Sequence, residues 1–270
     1  MIRAAVLGSP IAHSLSPTIH QKAYEILGWQ WQYSKFEVAS GELPEFLKRD
    51  LSEFRGLSLT MPLKEEAIAL LDTVSDLARR VNAANTVVFD ELGTHGFNTD
   101  VQGFVDALKN QEIIIPERVA ILGGGATARS AIAAVDAQTK RIDVYSRSAH
   151  RARALVNAAE KAIVSVHSWD KVSGAFDAEL VISTTPRGAT DNLLIPRKPG
   201  TLFESLYDPW PTPLVHSWEL AGGKVVDGLE LLVWQAIGQL EIMSVDGDSL
   251  AERKEELYAA MRSAALATLR

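Results

Sequence analysis

Cysteine is absent from the 270 residues. That absence excludes a disulfide framework, a thiol nucleophile and a cysteine-held metal, and no metal is expected. Long apolar runs are missing as well. None approaches the roughly 18 residues that a membrane-spanning helix needs, and Met1 leads directly into the strand-like Ile2-Arg3-Ala4-Ala5-Val6-Leu7 with no signal-peptide pattern. Positive charge is in deficit: 27 Lys and Arg stand against 34 Asp and Glu, a net charge of -7, whereas general nucleic-acid binding needs a basic face. A cytoplasmic protein with a small-molecule partner, and with neither nucleic acid nor membrane as partner, is therefore expected. What the chain does have is 47% hydrophobic content, enough for a sizeable core, and a length that suits two modest domains. Nothing in it decides between monomer and homodimer.

The most organised stretch is Arg118-Val119-Ala120-Ile121-Leu122-Gly123-Gly124-Gly125-Ala126-Thr127-Ala128. An apolar strand pattern stops at three glycines and a helical pattern begins. Gly123, Gly125 and Ala128 fit G-x-G-x-x-G/A, the turn that lets backbone approach a pyrophosphate while a helix N-terminus presents free N–H groups and the positive end of its dipole. The next strand, Arg141 to Tyr145, delivers Ser146-Arg147-Ser148-Ala149-His150-Arg151 at its carboxyl end. Dinucleotide folds that prefer NAD place an acidic residue there for the ribose 2′-hydroxyl. Two arginines and two serines instead suit a 2′-phosphate, so NADP is the expected cofactor. Asp143 is the competing NAD signal, but it falls inside the strand.

Taken from the beginning, the first strand ends at Gly8-Ser9-Pro10-Ile11-Ala12-His13-Ser14-Leu15-Ser16-Pro17, and a helix follows to a stop at Gly28. Ser16 and Pro17 suit the N-cap and first position of that helix, whereas Ser14 has no comparable structural duty. Two hydroxyls at a helix N-terminus could hold a carboxylate. His13 and His20 read as structural or solvent-facing. Strands at Trp31 to Val38 and Gly56 to Thr60 alternate with a helix at Leu43 to Lys48, which predicts a parallel-rich α/β layer. Lys64 then lies just past a strand's carboxyl end, where open α/β sheets bind ligands. Ser75-Asp76 begins a short helix, and Asn85 precedes the strand Thr86 to Phe89. Thr99 and Gln102 form a capping box that puts Asp100 in the first turn of the next helix. There it is either a helix stabiliser worth roughly 0.3 to 1 kcal/mol or an anion for Lys64 to pair with. Gln111 to Glu117 reads as the linker into the nucleotide unit. Later strands are expected at Ala162 to Val166, Ala178 to Ser183, Thr201 to Leu206 and Lys224 to Asp227, giving a sheet of about six. A helix from Leu229 to Met243 follows, and then a second capping box, Ser249 to Glu252, opens a last helix.

In order along nearly the whole chain, these stretches resemble the shikimate dehydrogenase family. Gly8 to Pro17 is similar to its N-terminal substrate motif, and the resemblance implies that Ser14 and Ser16 hold the substrate carboxylate. Ser58-Leu59-Thr60-Met61-Pro62-Leu63-Lys64 resembles the family's N-V-T-x-P-x-K, with Thr60 as substrate ligand and Lys64 as catalytic lysine. Asn85-Thr86 and Asn98-Thr99-Asp100 resemble the next two signatures, in which Asn85 and Asp100 bind ring hydroxyls and Asp100 pairs with Lys64. Asp76 matches a position that contacts cofactor. Gly123, Gly124, Gly125, Ala126 and Thr127, with Ser146, Arg147, Ser148 and Arg151, resemble the NADP signature, and Thr184 and Gly228 complete the implied cofactor set. Tyr207 and Gln235 match substrate-touching positions. Ser58, Ala126, Ser146, Ser183 and Glu230-Leu231 depart from the usual Asn, Gly, Asn, Asn and Gly-Met.

The resemblance implies an α/β fold with an N-terminal substrate domain, residues 1–100 completed by about 229–270. A Rossmann-type doubly wound parallel sheet would occupy 101–228, with the C-terminal helices returning to the substrate domain. The implied activity is the NADP-dependent reduction of 3-dehydroshikimate to shikimate in aromatic amino acid biosynthesis. An NAD-dependent quinate or shikimate dehydrogenase of catabolic type, and a non-catalytic metabolite sensor on the same fold, are the alternatives.

Overall fold

The computed structural model describes residues 1–49, 51–244 and 250–269. Ser249, the first residue of the expected second capping box, lies outside the described residues. The chain divides into two compact units, Met1–Thr99 with Leu232–Arg270, and Asp100–Leu231.

In chain order the first unit contributes β1 (Ile2–Gly8), α1 (Ser16–Leu27), β2 (Trp31–Glu37), α2 (Leu43–Leu47), β3 (Phe54–Leu59), α3 (Leu63–Glu66), β4 (Thr73–Val74), α4 (Asp76–Arg80), β5 (Thr86–Asp90) and β6 (Gly93–Phe97). Its sheet has the order β2-β1-β3-β5-β6-β4. β1 lies parallel to both β2 and β3, and its Ala4-Ala5-Val6-Leu7 run is buried, as a strand flanked on both sides must be. The parallel expectation fails beyond β3, because β5 and β6 form an antiparallel hairpin against it. β6 reads Gly-Thr-His-Gly-Phe, with only Gly96 buried, so it offers no apolar alternation to announce a strand. A core of Ala5, Leu7, Leu57, Leu59, Leu63 and Val87 sits under this sheet.

The second unit contributes α5 (Asp100–Asn110), β7 (Arg118–Leu122), α6 (Ala126–Val135), β8 (Arg141–Ser146), α7 (Ala152–Val156), β9 (Ile163–Ser168), β10 (Leu180–Ser183), β11 (Thr201–Glu204), α8 (Pro213–Leu220) and β12 (Lys224–Val226). The sheet order is β12-β11-β10-β7-β8-β9, and every pairing in it is parallel. Read from β9, this is the doubly wound order 3-2-1-4-5-6, whose switch point lies between β7 and β10. Its core gathers Leu122, Tyr145, Val181, Leu202, Val215 and Trp218, and the Trp218 indole satisfies its N–H on the Gly200 carbonyl at 2.9 Å. Gln111 to Glu117 lies inside this unit and is not an entry linker. The helix before it, α5, buries Val101, Phe104, Ala107 and Leu108, with the Phe104 and Phe203 rings 5.1 Å apart. α9 (Gly228–Met243) runs from the second unit's range into the first, and α10 (Lys254–Leu269) packs on α1.

Candidate active site

Glu37, at the end of β2, organises the loop after β1. One carboxylate oxygen accepts the Ser9 hydroxyl at 2.7 Å and the other accepts the Ile11 amide at 3.0 Å, and Lys35 donates to the Ala12 carbonyl. The helix that follows starts differently from expectation. Ser16 is the first residue of α1 and Pro17 the second, Leu15 occupies the N-cap position, and no side chain caps it. The structural duty belongs to Ser14, whose hydroxyl accepts the Ser16 amide at 3.3 Å. Both serines thus sit at one helix N-terminus with their roles exchanged. Gly28 ends the helix in the left-handed conformation expected of a C-terminal glycine. His13 is exposed and His20 fully buried.

Thr60 follows β3, its amide bound to the Leu7 carbonyl at 2.9 Å and its carbonyl accepting the Leu63 amide at 2.8 Å. That turn opens α3 and presents Lys64, half-buried, whose own carbonyl accepts the Ala84 amide at 2.8 Å. Asn85, one residue on, is buried and saturated. Its Oδ1 accepts the Thr99 amide at 2.8 Å, and its Nδ2 donates to Thr99 Oγ1 at 2.9 Å and to Gln235 Oε1 at 3.3 Å. The Thr99–Gln102 capping box does not form as expected. Asn85 takes the Thr99 amide, and Gln102 reaches forward to Asp106 at 2.9 Å. Asp76 is exposed at the first turn of α4, behind Ser75, whose hydroxyl caps it on the Ala78 amide at 3.3 Å. The first unit therefore holds Ser14, Ser16, Thr60, Lys64, Asp76, Asn85 and Gln235. The second holds the remaining candidates, beginning with buried Asp100 at the start of α5.

In the second unit the glycine turn sits at the carboxyl end of β7. Gly123 adopts φ +117°, and a Cβ there would lie 2.5 Å from the Thr184 hydroxyl, so no side chain is accommodated. Thr184 fixes the turn from β10's end by donating its hydroxyl to the Leu122 carbonyl at 2.9 Å. Gly125 occupies the N-cap of α6 with no side-chain cap, leaving the first N–H groups of Ala126 and Thr127 to an anion. Gly124 approaches β8 so closely that a Cβ would meet the Ser146 hydroxyl at 2.3 Å. Ser146 in turn accepts the Ser148 amide at 3.1 Å, and Arg151 donates to the Gly124 carbonyl at 3.3 Å. Arg147 is exposed beside them. Tyr207 is half-buried in the loop after β11, and Gly228 is buried at the start of α9.

Asp143 is removed from any role in ribose binding. It is fully buried, pairing with Arg118 at 2.7 Å, Arg141 at 2.9 Å and His167 at 2.8 Å. Burial opposes its charge, but the hydrogen bonds from His167, Arg118 and Arg141 outweigh it and bring the carboxyl down to about 2. Glu204, at the end of β11, is the reverse case. Buried, with one oxygen on the Leu206 amide at 3.2 Å and the other without a partner, it is pushed up to about 7 by desolvation. In the first unit, burial lowers His20 to about 4, only partly offset by its Ser16 and Gln239 neighbours.

A glycine turn leading into an uncapped helix, at the switch point of an all-parallel doubly wound sheet, defines a nucleotide-binding α/β protein. Residues 6–87 match the family model described as the shikimate dehydrogenase substrate binding domain. A Thermus thermophilus protein named shikimate dehydrogenase (NADP(+)) is 37% identical over 242 residues, covering 87% of this chain and 89% of that one. Among solved structures, shikimate dehydrogenase of Mycobacterium tuberculosis superposes with a TM-score of 0.85 at 33% identity, over 99% of this chain and 100% of the other. The Thermus thermophilus enzyme in complex with NADP(H) and shikimate gives 0.82 at 34% identity, over 98% and 100%. The chain belongs to the shikimate dehydrogenase family. Among the described residues no helix is long and apolar enough to cross a membrane.

Proposed function

We propose that this protein is an NADP-dependent shikimate dehydrogenase, reducing 3-dehydroshikimate reversibly to shikimate on the route to aromatic amino acids, in the cytoplasm. One observation carries the reading: Lys64, the Ser14–Ser16 helix terminus, Thr60 and the buried Asn85–Gln235 amide pair all belong to one compact unit. Those residue types suit a proton donor, a carboxylate site and amides for ring hydroxyls, the three things a hydroxylated cyclohexene acid needs.

The uncapped N-terminus of α6 and exposed Arg147 would hold the pyrophosphate and 2′-phosphate of NADPH, which would supply hydride for C3 of the substrate. Ser14 and Ser16 hold the carboxylate. Thr60, Asn85 and Gln235 orient the ring. As the C3 oxygen gains electrons, the Lys64 ammonium gives it a proton or stabilises its charge, which requires the nitrogen within about 3 Å of that oxygen. Asp100 binds a ring hydroxyl. In oxidation the same groups run in reverse.

The test is absorbance at the nicotinamide band with shikimate or quinate, each with NADP or NAD. Turnover of shikimate with NADP, and little with the other pairs, supports the reading. Preference for NAD and quinate would overturn it in favour of the catabolic enzyme, and ligand binding without turnover in favour of the sensor. Arg147→Ala raises KM for NADP about tenfold, in keeping with the loss of one charge-assisted phosphate contact, while KM for shikimate holds. A variant whose NADP KM stays at the parent value removes Arg147 from phosphate recognition. Asp100→Asn keeps the shape of the helix start and loses the charge; kcat/KM for shikimate falls about 10- to 100-fold, the worth of a hydrogen bond to a charged group. Helix stabilisation alone would lower the melting temperature and leave kcat/KM unchanged.

A further inference from the structure

α9 carries two buried amides one turn apart among apolar side chains. They are Gln235 and Gln239, set among Leu231, Val233, Trp234, Ala236, Ile237 and Leu240. Gln235 meets the Asn85 side chain. Gln239, only 2% exposed, does something different: its Oε1 accepts the Ser58 hydroxyl at 2.8 Å and its Nε2 donates to the Asn85 carbonyl at 3.1 Å. The line continues outward, because Ser58 Oγ itself accepts the Tyr33 hydroxyl at 2.6 Å. The Tyr33 ring stacks on His20 with centroids 4.0 Å apart, and His20 Nδ1 is hydrogen-bonded to the Ser16 carbonyl at 2.9 Å.

The position of Asn85 explains why this matters. β3 and β5 pair in register only as far as Ser58 with Thr86, so Asn85 is the first residue past the ladder. Its carbonyl is held there by the Leu59 amide at 2.8 Å and by Gln239. The Asn85 side chain has both Nδ2 hydrogens and Oδ1 engaged inside the protein, so a ring hydroxyl binds it by displacing one of those partners, and the peptide behind it sets where the amide stands.

We propose that Gln239 is a positioning residue for substrate recognition. Through the buried line Tyr33–Ser58–Gln239 it fixes the Asn85 peptide, and through Asn85 and Gln235 it fixes the ring-binding amides. The line reaches His20 through the ring stack with Tyr33, and His20 bonds to the Ser16 carbonyl, so the Ser16 helix start and the Asn85 amide are linked by one chain of contacts inside the first unit. Ser58, which stands where the family motif has Asn, is the hydroxyl relay that this chain requires: it accepts from Tyr33 and donates to Gln239. Gln239 touches neither substrate nor cofactor in this scheme.

The proposal rests on the shikimate reading above, and the experiment separates the two. Gln239→Met keeps length and apolar fit while deleting both hydrogen bonds. With the full-length protein, KM for shikimate rises about tenfold, kcat changes less than about threefold and KM for NADP is unchanged. Tyr33→Phe, which keeps the stack on His20 and removes only the far hydroxyl, raises the shikimate KM in the same direction by about two- to threefold. A purely structural role for Gln239 predicts instead a lower melting temperature and a smaller active fraction at unaltered KM. A folded Gln239→Met with the parent's shikimate KM overturns the proposal. Should that variant fail to fold, a Tyr33→Phe variant with parental KM overturns it equally. A parent that turns over no shikimate with either cofactor overturns the functional reading and this one with it, whereas an active parent beside an unaffected variant overturns this one alone.

Discussion

Replacing Lys64 with alanine lowers kcat for shikimate oxidation by about 100- to 10,000-fold, the span lost with a positioned general acid or base. KM for shikimate changes little, because the carboxylate and hydroxyl contacts proposed for Ser14, Ser16, Asn85 and Gln235 stay. The structure motivates this expectation through placement. Thr60 closes the turn at the carboxyl end of β3, and α3 begins at Leu63, whose fully buried side chain anchors the helix start. Lys64 is thereby delivered at the sheet edge on a short, tethered element. Steady-state kinetics on the purified variant decide the matter. If kcat stays within about tenfold of the parent, Lys64 is not the proton donor.

A second large effect is in stability against acid. Free histidine in the unfolded chain takes a proton near pH 6.5, whereas buried His20 resists until about 4. Over that interval the unfolded state binds the extra proton, so stability falls as pH drops from 6.5 to 4 and is fully retained above 6.5. At about 1.36 kcal/mol per pKa unit the loss is on the order of 3 kcal/mol. Glu204 has the opposite sign. Its carboxyl is raised from 4.5 to about 7, the native state keeps the proton, and its contribution is present below pH 4.5 and lost as pH rises to 7. The two residues lie in different units, so moderate acid weakens the first while favouring the second. His20→Phe preserves the stack on Tyr33 and removes the titration. Urea denaturation at pH 7.5, 6 and 5 should show a flatter pH dependence for this variant than for the parent. Equal slopes would exclude His20 as the acid-labile group.

Much of this was legible in the residues. Alternating strand and helix patterns announce the α/β layers, and the glycine turn followed by Ser146 to Arg151 announces a nucleotide unit of six parallel strands. Lys64 could be placed because a strand pattern ends four residues before it. Of the hairpin β5–β6, the strand from Thr86 was legible and its partner β6 was hidden by composition: Gly93-Thr94-His95-Gly96-Phe97 pairs through backbone and fully buries only Gly96. The capping assignments at Ser16 and at Thr99 with Gln102 failed for different reasons: at Ser16 a still more local partner, the Ser14 hydroxyl two residues back, takes the amide, whereas at Thr99 the partner is Asn85 from another part of the fold. Asp143 had the spacing of a ribose ligand, but two arginines and a histidine drawn from β7, β8 and β9 claim it. Gln239 escaped notice because nothing local separates it from any other polar residue on a helix. Only the return of α9 against β3 and β5 shows that its amide is buried and what it holds.

Gly124 lies so close to Ser146 that residue 124 cannot gain a side chain while the Ser146 hydroxyl stays where it is. An alanine at 124 would meet the Ser146 hydroxyl at 2.3 Å and its Cβ at 3.1 Å. Any side chain at 124 therefore has to displace the Ser146 hydroxyl, and with it the hydrogen bond that fixes the Ser148 amide. The glycine turn and the loop after β8 are in this way mechanically coupled.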